Sequence, residues 1–187
     1  MGAGFAGINA GMTLARDIEG GFVDRLIASP APRLSLVAGP FTAAAMRSVF
    51  TTTVVLVAGM IGQLALPGPL GTLMIYVMAA SFAMATACWS MGVALRARTV
   101  QAAPMMQLVV FILVFTSVAY APRDLQTGWL RTVSNWNPVT RILEFARTAE
   151  FQTMTWSGLW GAVISIAVLM AVFGAFALHG LSRLGND

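Results

Sequence analysis

The amino-acid sequence predicts an all-α, polytopic transmembrane bundle, and three observations predict it. Of its 187 residues, 58% are hydrophobic and only 10% charged, where soluble domains carry about 25% charged residues. Stretches 48–66, 70–95, 103–121 and 158–181 each approach the roughly 20 largely apolar residues that cross a bilayer as a helix. All seven carboxylates and all eleven arginines fall outside those stretches. A transmembrane barrel would instead show alternating segments of about ten residues.

Residues 1–15 are small and apolar but too few to span. No basic segment precedes them as in a signal peptide, since the first positive charge is Arg16. They read either as a short interfacial or disordered terminus or as the end of an incomplete span. GAGFAG at Gly2–Gly7 matches a dinucleotide-binding spacing, but no strand can precede it. The four-residue step from Gly7 to Gly11 is better read as close helix packing.

Residues 16–47 form a loop with structure of its own. Ile18, Phe22 and Leu26 recur at helical spacing, widened by Val23 and Ile27, while Asp17, Glu19, Asp24 and Arg25 lie off the stripe. That is an amphipathic helix. Gly20-Gly21 kinks or starts it, and Pro30 and Pro32 end it. Pro40 suits the first turn of a helix that runs on into the first span.

Pro67-Gly68-Pro69 makes the first two spans an antiparallel hairpin. Residues 96–102 form a second short turn, and Pro104 is tolerated at the start of the third span. Residues 122–157 are long enough for two short helices, Thr127–Trp136 and Val139–Phe151, broken at Asn137-Pro138 because the residue before proline avoids the α region. Within the second, Glu144 is placed to pair with Arg141 or Arg147, one turn away.

The formal net charge of +4 comes from arginine alone, because the chain has no lysine. Alternating the spans puts seven arginines on one side and four on the other. The positive-inside rule assigns residues 16–47, 96–102 and the C-terminus to the cytoplasm, and 67–69 and 122–157 to the outside. No basic run with interleaved aromatics marks a nucleic-acid partner.

The absences exclude chemistry. Without lysine there is neither a P-loop nor a Schiff base. His179 and Cys88 are the only residues of their kinds, too few for a His/Cys metal cluster. No catalytic, cofactor-binding or metal-ligating residue is therefore assigned, and the chain is not read as an enzyme. Spans free of carboxylates also lack the usual proton relay of an ion-coupled carrier, so the energy for any transport comes from elsewhere.

Two regions carry a family resemblance. The first is RDIEGGFVDRLIASPAPR, Arg16–Arg33, with Glu19, Gly20 or Gly21, Leu26-Ile27, Pro30 and Arg33 in order. The second is APRDLQTGWLRTVSNWNPVTRILEFAR, Ala121–Arg147, with Pro122, Trp129-Leu130, Asn137-Pro138 and Arg147. Together they resemble ABC-2 type export permeases, the drug-resistance branch most closely. The resemblance implies a cytoplasmic coupling helix meeting an ATP-binding cassette ATPase subunit through Glu19, Phe22, Asp24, Arg25 and Leu26. It implies short re-entrant extracellular helices at 122–157, ATP bound only by the partner subunit, and pairing with a second copy or a related permease. The setting it implies is the lipid of a plasma membrane, with the C-terminus cytoplasmic, and the mostly apolar spans suit an amphiphilic drug or lipid-like substrate as exported cargo. Such permeases have six spans, so the resemblance also implies N-terminal truncation, with 1–15 matching the end of the second span. The competing reading is a non-transporting assembly or anchor subunit, or a permease fragment.

Overall fold

The structure, a computed structural model, describes residues 1–21, 35–62, 67–150 and 155–183. Among them it is all-α, with no strand, and forms a helical membrane bundle. The helices are α1 (Gly2–Glu19), α2 (Ser35–Ile61), α3 (Pro69–Ala97), α4 (Ala103–Phe115), α5 (Gly128–Trp136), α6 (Pro138–Glu150) and α7 (Trp156–Arg183). Single 3-10 turns, Val100–Ala102 and Arg123–Leu125, precede α4 and α5. Phe22, Asp24, Arg25 and Leu26 lie outside the described residues.

Helix α3 is the centre, packed against α1, α2, α6 and α7. Its seam with α1 is made by glycine. A Cβ on Gly7 would stand 2.7 Å from the Ala87 nitrogen, and one on Gly11 would stand 2.6 Å from the Ser90 oxygen. The backbones are therefore close enough for cross-helix bonds. Ser90 Oγ donates to the Gly7 carbonyl at 2.8 Å and accepts from the Gly11 amide at 3.2 Å. The small-residue reading of Gly2–Gly11 is what the chain uses. On its other side α3 sets Trp89 against Phe173 and Phe176 of α7, and the Arg96 guanidinium lies 3.7 Å over the Phe176 ring.

Among the described residues, three helical stretches are long and apolar enough to cross a membrane: Ala38–Ile61, Pro69–Ala97 and Trp156–Ser182. Two differences from the sequence expectation follow. The helix that leads into the first span, Ser35–Ile61 as described, holds Pro40 inside it rather than in its first turn. Arg47 then falls within the apolar stretch, not in a loop before it. The continuous helix expected over 103–121 is also shorter, ending at Phe115 after 13 residues. At 1.5 Å per residue that is about 20 Å, against roughly 30 Å of hydrocarbon. At that end the Ser117 amide bonds the Val114 carbonyl, three residues back instead of four, at 3.2 Å, and Asn137 takes the Leu113 carbonyl that it leaves.

Candidate functional site

A helix that stops part-way through a bilayer leaves carbonyls without partners, and hydrocarbon cannot supply them. The chain supplies them from the 122–150 region. Asn137 Nδ2 donates to the Leu113 carbonyl at 2.6 Å and to Thr116 Oγ1 at 2.9 Å. Gln126 Nε2 donates to the Ser117 and Ala121 carbonyls at 3.2 and 3.0 Å. Arg147 donates to the Val118 carbonyl at 2.8 Å and to that of Ala119 at 3.3 Å. Three side chains thus clasp the frayed end of α4.

The sequence folds this way because Asn137 faces two directions. Its amide serves α4, while Oδ1 accepts from the Val139 amide at 2.9 Å and caps the start of α6. Pro138 occupies the first helical position, where its missing N–H costs nothing. The chain bends there between α5 and α6, and Ser134 and Thr140, both fully buried, close the angle at 3.3 Å. Arg147, a little over two turns further along α6, reaches the same stretch of backbone.

Of the residues singled out here in the sequence, Asn137, Pro138 and Arg147 are brought together. Pro122 stands apart, at the start of the Arg123–Leu125 turn. Trp129 and Leu130 are on α5 and take no part: Trp129 is exposed and Leu130 half-buried. Glu144 pairs neither with Arg141 nor with Arg147. Its carboxylate holds Arg123, with Nη2 to Oε2 at 3.0 Å and Nε against Oε1. Arg147 is unavailable because the carbonyls need it. Gln126 was not singled out in the sequence; a glutamine between two loop residues carries no spacing signal.

Four of the five tryptophans, Trp129, Trp136, Trp156 and Trp160, are exposed around this end of the bundle, the arrangement of an interfacial aromatic belt. Beneath it lies an apolar cavity of about 320 Å³ between α1, α2, α3 and α6, with Thr51 and Thr52 its main polar lining. Its walls include Val55, Met78, Phe82 and Ile142.

The opposite end holds one polar contact of note. The Glu19 carboxylate, at the end of α1, accepts from Thr99 Oγ1 at 2.7 Å and from the Val100 amide at 2.9 Å. These bonds to its charged form hold its pKa below the usual carboxylate range. Glu19 ties α1 to the turn between α3 and α4, where Arg98 adopts a left-handed φ of 53°. Of the five residues assigned to the coupling helix, Glu19 alone is described, and its carboxylate is engaged within the chain.

Three long apolar helices, a fourth too short to span and a pair of short helices that close it define an integral membrane protein of the helical-bundle class. Among the described residues, the polar side chains of the 122–150 region mostly hold backbone carbonyls. The family model for the ABC-2 type transporter matches residues 2–151 of the 187, and the chain belongs to that family. It is a permease component of an ATP-binding cassette transporter. No curated protein and no solved structure matches the chain.

Proposed function

We propose that this chain is the membrane-spanning subunit of an exporter in the drug-resistance branch of its family, moving an amphiphilic or lipid-like cargo with energy from ATP hydrolysed on a partner subunit. A second copy or a related permease completes the pathway. The part of 16–47 that precedes the Ala38–Ile61 stretch, residues 96–102 and the C-terminus face the cytoplasm of a plasma-membrane protein, and 122–157 form re-entrant helices outside.

One observation carries the reading. Glu19 meets the turn that follows α3, and the 122–150 clasp meets the end of α4 about half-way along α3, beside Phe82. The glycine seam fixes α1 to α3, and Glu19 fixes the end of α1 to the next turn. A push on the segment after Glu19 is therefore delivered to α1 and α3 together, as a rigid element of the kind that switches membrane transporters. The apolar cavity below the tryptophan belt supports an apolar cargo tail.

The test is co-purification of the chain with its ATPase, followed by transport in vesicles. Asp24→Ala and Arg25→Ala are expected to leave ATP hydrolysis running while export stops. Phe22→Ala should weaken subunit association, as loss of an aromatic anchor does. Normal binding and export in all three variants would remove the coupling assignment. Topology is read with an impermeant thiol reagent in a Cys88→Ser background. Leu125→Cys, exposed beside the buried Gln126, should label in right-side-out cells, and the exposed Gln101→Cys should not.

A further inference from the structure

Arg47 is the single charged residue in the Ala38–Ile61 stretch. Thr53 Oγ1 and Tyr76 OH meet at 2.8 Å, which sets the antiparallel register of α2 and α3. Six residues further down α2, Arg47 is level with Phe82, near the middle of the 29-residue α3. Its side chain is exposed, and among the described residues no hydrogen bond or ion pair engages its guanidinium. An intramembrane arginine left without an anion is costly, and it draws lipid phosphate and water inward.

A groove of about 500 Å³ opens sideways between α1 and α2 at this point, with Arg47 and the exposed Asn9 as its polar part and Phe5, Met46 and Phe50 as apolar walls. Gly2 and Thr51 line both this groove and the apolar cavity of about 320 Å³ beside it. The two spaces share a threshold: a cation on one side and a place for hydrocarbon on the other.

We propose that this groove binds an anionic phospholipid of the surrounding bilayer, its phosphate on Arg47 with the Asn9 amide alongside, and an acyl chain running past Gly2 and Thr51 into the cavity. Guanidinium presents a fork of donors that matches phosphate, and its flexible stem lets the charge lean toward the headgroups while its methylenes line the groove. A second copy is a poorer occupant. Side by side in one membrane, it brings its own α2 to the same depth, cation against cation. Among the described carboxylates, Glu19 and Glu144 are already engaged, and Asp17, Asp124 and Glu150 belong to segments near the ends of the bundle. The proposal rests on membrane placement and not on the cargo reading, so a failed export assay leaves it standing.

The experiment is native mass spectrometry of the purified chain in detergent, titrated with equal amounts of phosphatidylglycerol and phosphatidylcholine of matched chains. The wild type is expected to favour the anionic lipid about tenfold, the factor one charge-assisted hydrogen bond supplies. Arg47→Gln should bring the ratio to about one, Arg47→Lys should keep most of it, and Arg131→Gln, at an exposed position on α5, should change nothing. The swap Asn9→Arg with Arg47→Asn moves the charge across the groove and should restore the preference, which separates site chemistry from misfolding. Equal binding of both lipids by the wild type, an unchanged ratio in Arg47→Gln, or a lipid-free dimer that Arg47→Gln dissociates would each overturn the assignment.

Discussion

The two polar ends of this bundle are built differently. At the α5–α6 end, Gln126, Asn137 and Arg147 donate six hydrogen bonds, five of them to backbone carbonyls from Leu113 to Ala121. Gln126 and Asn137 are buried. At the other end, Glu19 accepts two bonds on an exposed surface. The first end completes a helix that cannot complete itself; the second joins two elements that would each stand without it. A motif singled out in the sequence can therefore mark the place where a fold needs side chains to satisfy its backbone, rather than a place where chemistry happens.

If that comparison is right, the largest effect belongs to Asn137. Asn137→Leu removes both donors and the cap on α6, and leaves the Leu113 carbonyl and the Val139 amide without partners in an apolar setting. Each buried unsatisfied group costs about 1–3 kcal/mol, so a loss of roughly 3 kcal/mol or more is expected in thermal unfolding followed in nanodiscs. An unfolding midpoint within a degree or two of wild type for Asn137→Leu would mean that α4 ends without help.

Arg147 comes next. Arg147→Met keeps the apolar stem but frees the Val118 and Ala119 carbonyls, at an expected cost of about 1–3 kcal/mol. Limited proteolysis should then cut between α4 and α5 sooner than in wild type, and Arg141→Met, which touches none of these carbonyls, serves as the control. Equal protection in the two variants would move the clasp's weight from Arg147 to Asn137 and Gln126.

These same residues show what the sequence could and could not say. The long helices were legible because apolar runs bounded by Pro67-Gly68-Pro69 and by the turn at 96–102 leave little choice. The glycine seam was legible from the step between Gly7 and Gly11. The early end of α4 was not, because Thr116 and Ser117 lie in a run that is otherwise apolar, and hydropathy averages over them. Nor was the depth of Arg47: standing just before the apolar run at 48, it counts with the 16–47 loop for charge, although a helix entering at Pro40 already carries it. Glu144 misled because spacing along one helix identifies neighbours only within that helix. Arg123 comes from another turn, and Arg147 has more demanding partners.

The Arg123–Glu144 pair should matter less. Its side chains are 40% and 38% exposed, so solvent screens the attraction and side-chain ordering offsets part of it. A double-mutant cycle with Arg123→Gln and Glu144→Gln is expected to give a coupling of about 0.2–1 kcal/mol that shrinks with added salt. The same cycle between Glu144 and Arg141 should give none. A coupling as large as the loss in Asn137→Leu would make this ion pair part of the clasp, and the contrast between the two ends would then be one of charge as much as burial.

The smallest effect on stability is expected at Glu19, and it carries the sign that tells the two ends apart. The bonds from Thr99 and Val100 favour the ionised carboxylate and lower its pKa. A group with a depressed folded-state pKa contributes fully above its unfolded value, and the contribution fades as pH falls through the folded value. Wild type should therefore exceed Glu19→Gln in unfolding midpoint at neutral pH, by a small margin, and the two should converge as the medium is acidified below the usual carboxylate range. Asn137→Leu should show no such convergence, since its lost bonds involve no titrating group. Glu19→Gln is also the variant in which stability and coupling separate. A chain that unfolds almost as wild type but hydrolyses ATP through its partner without export would place Glu19 in the transmission of force from α1 to the α3–α4 turn. Normal export in Glu19→Gln would show that the glycine seam alone carries the motion, and that the exposed bonds at this end only trim the fold.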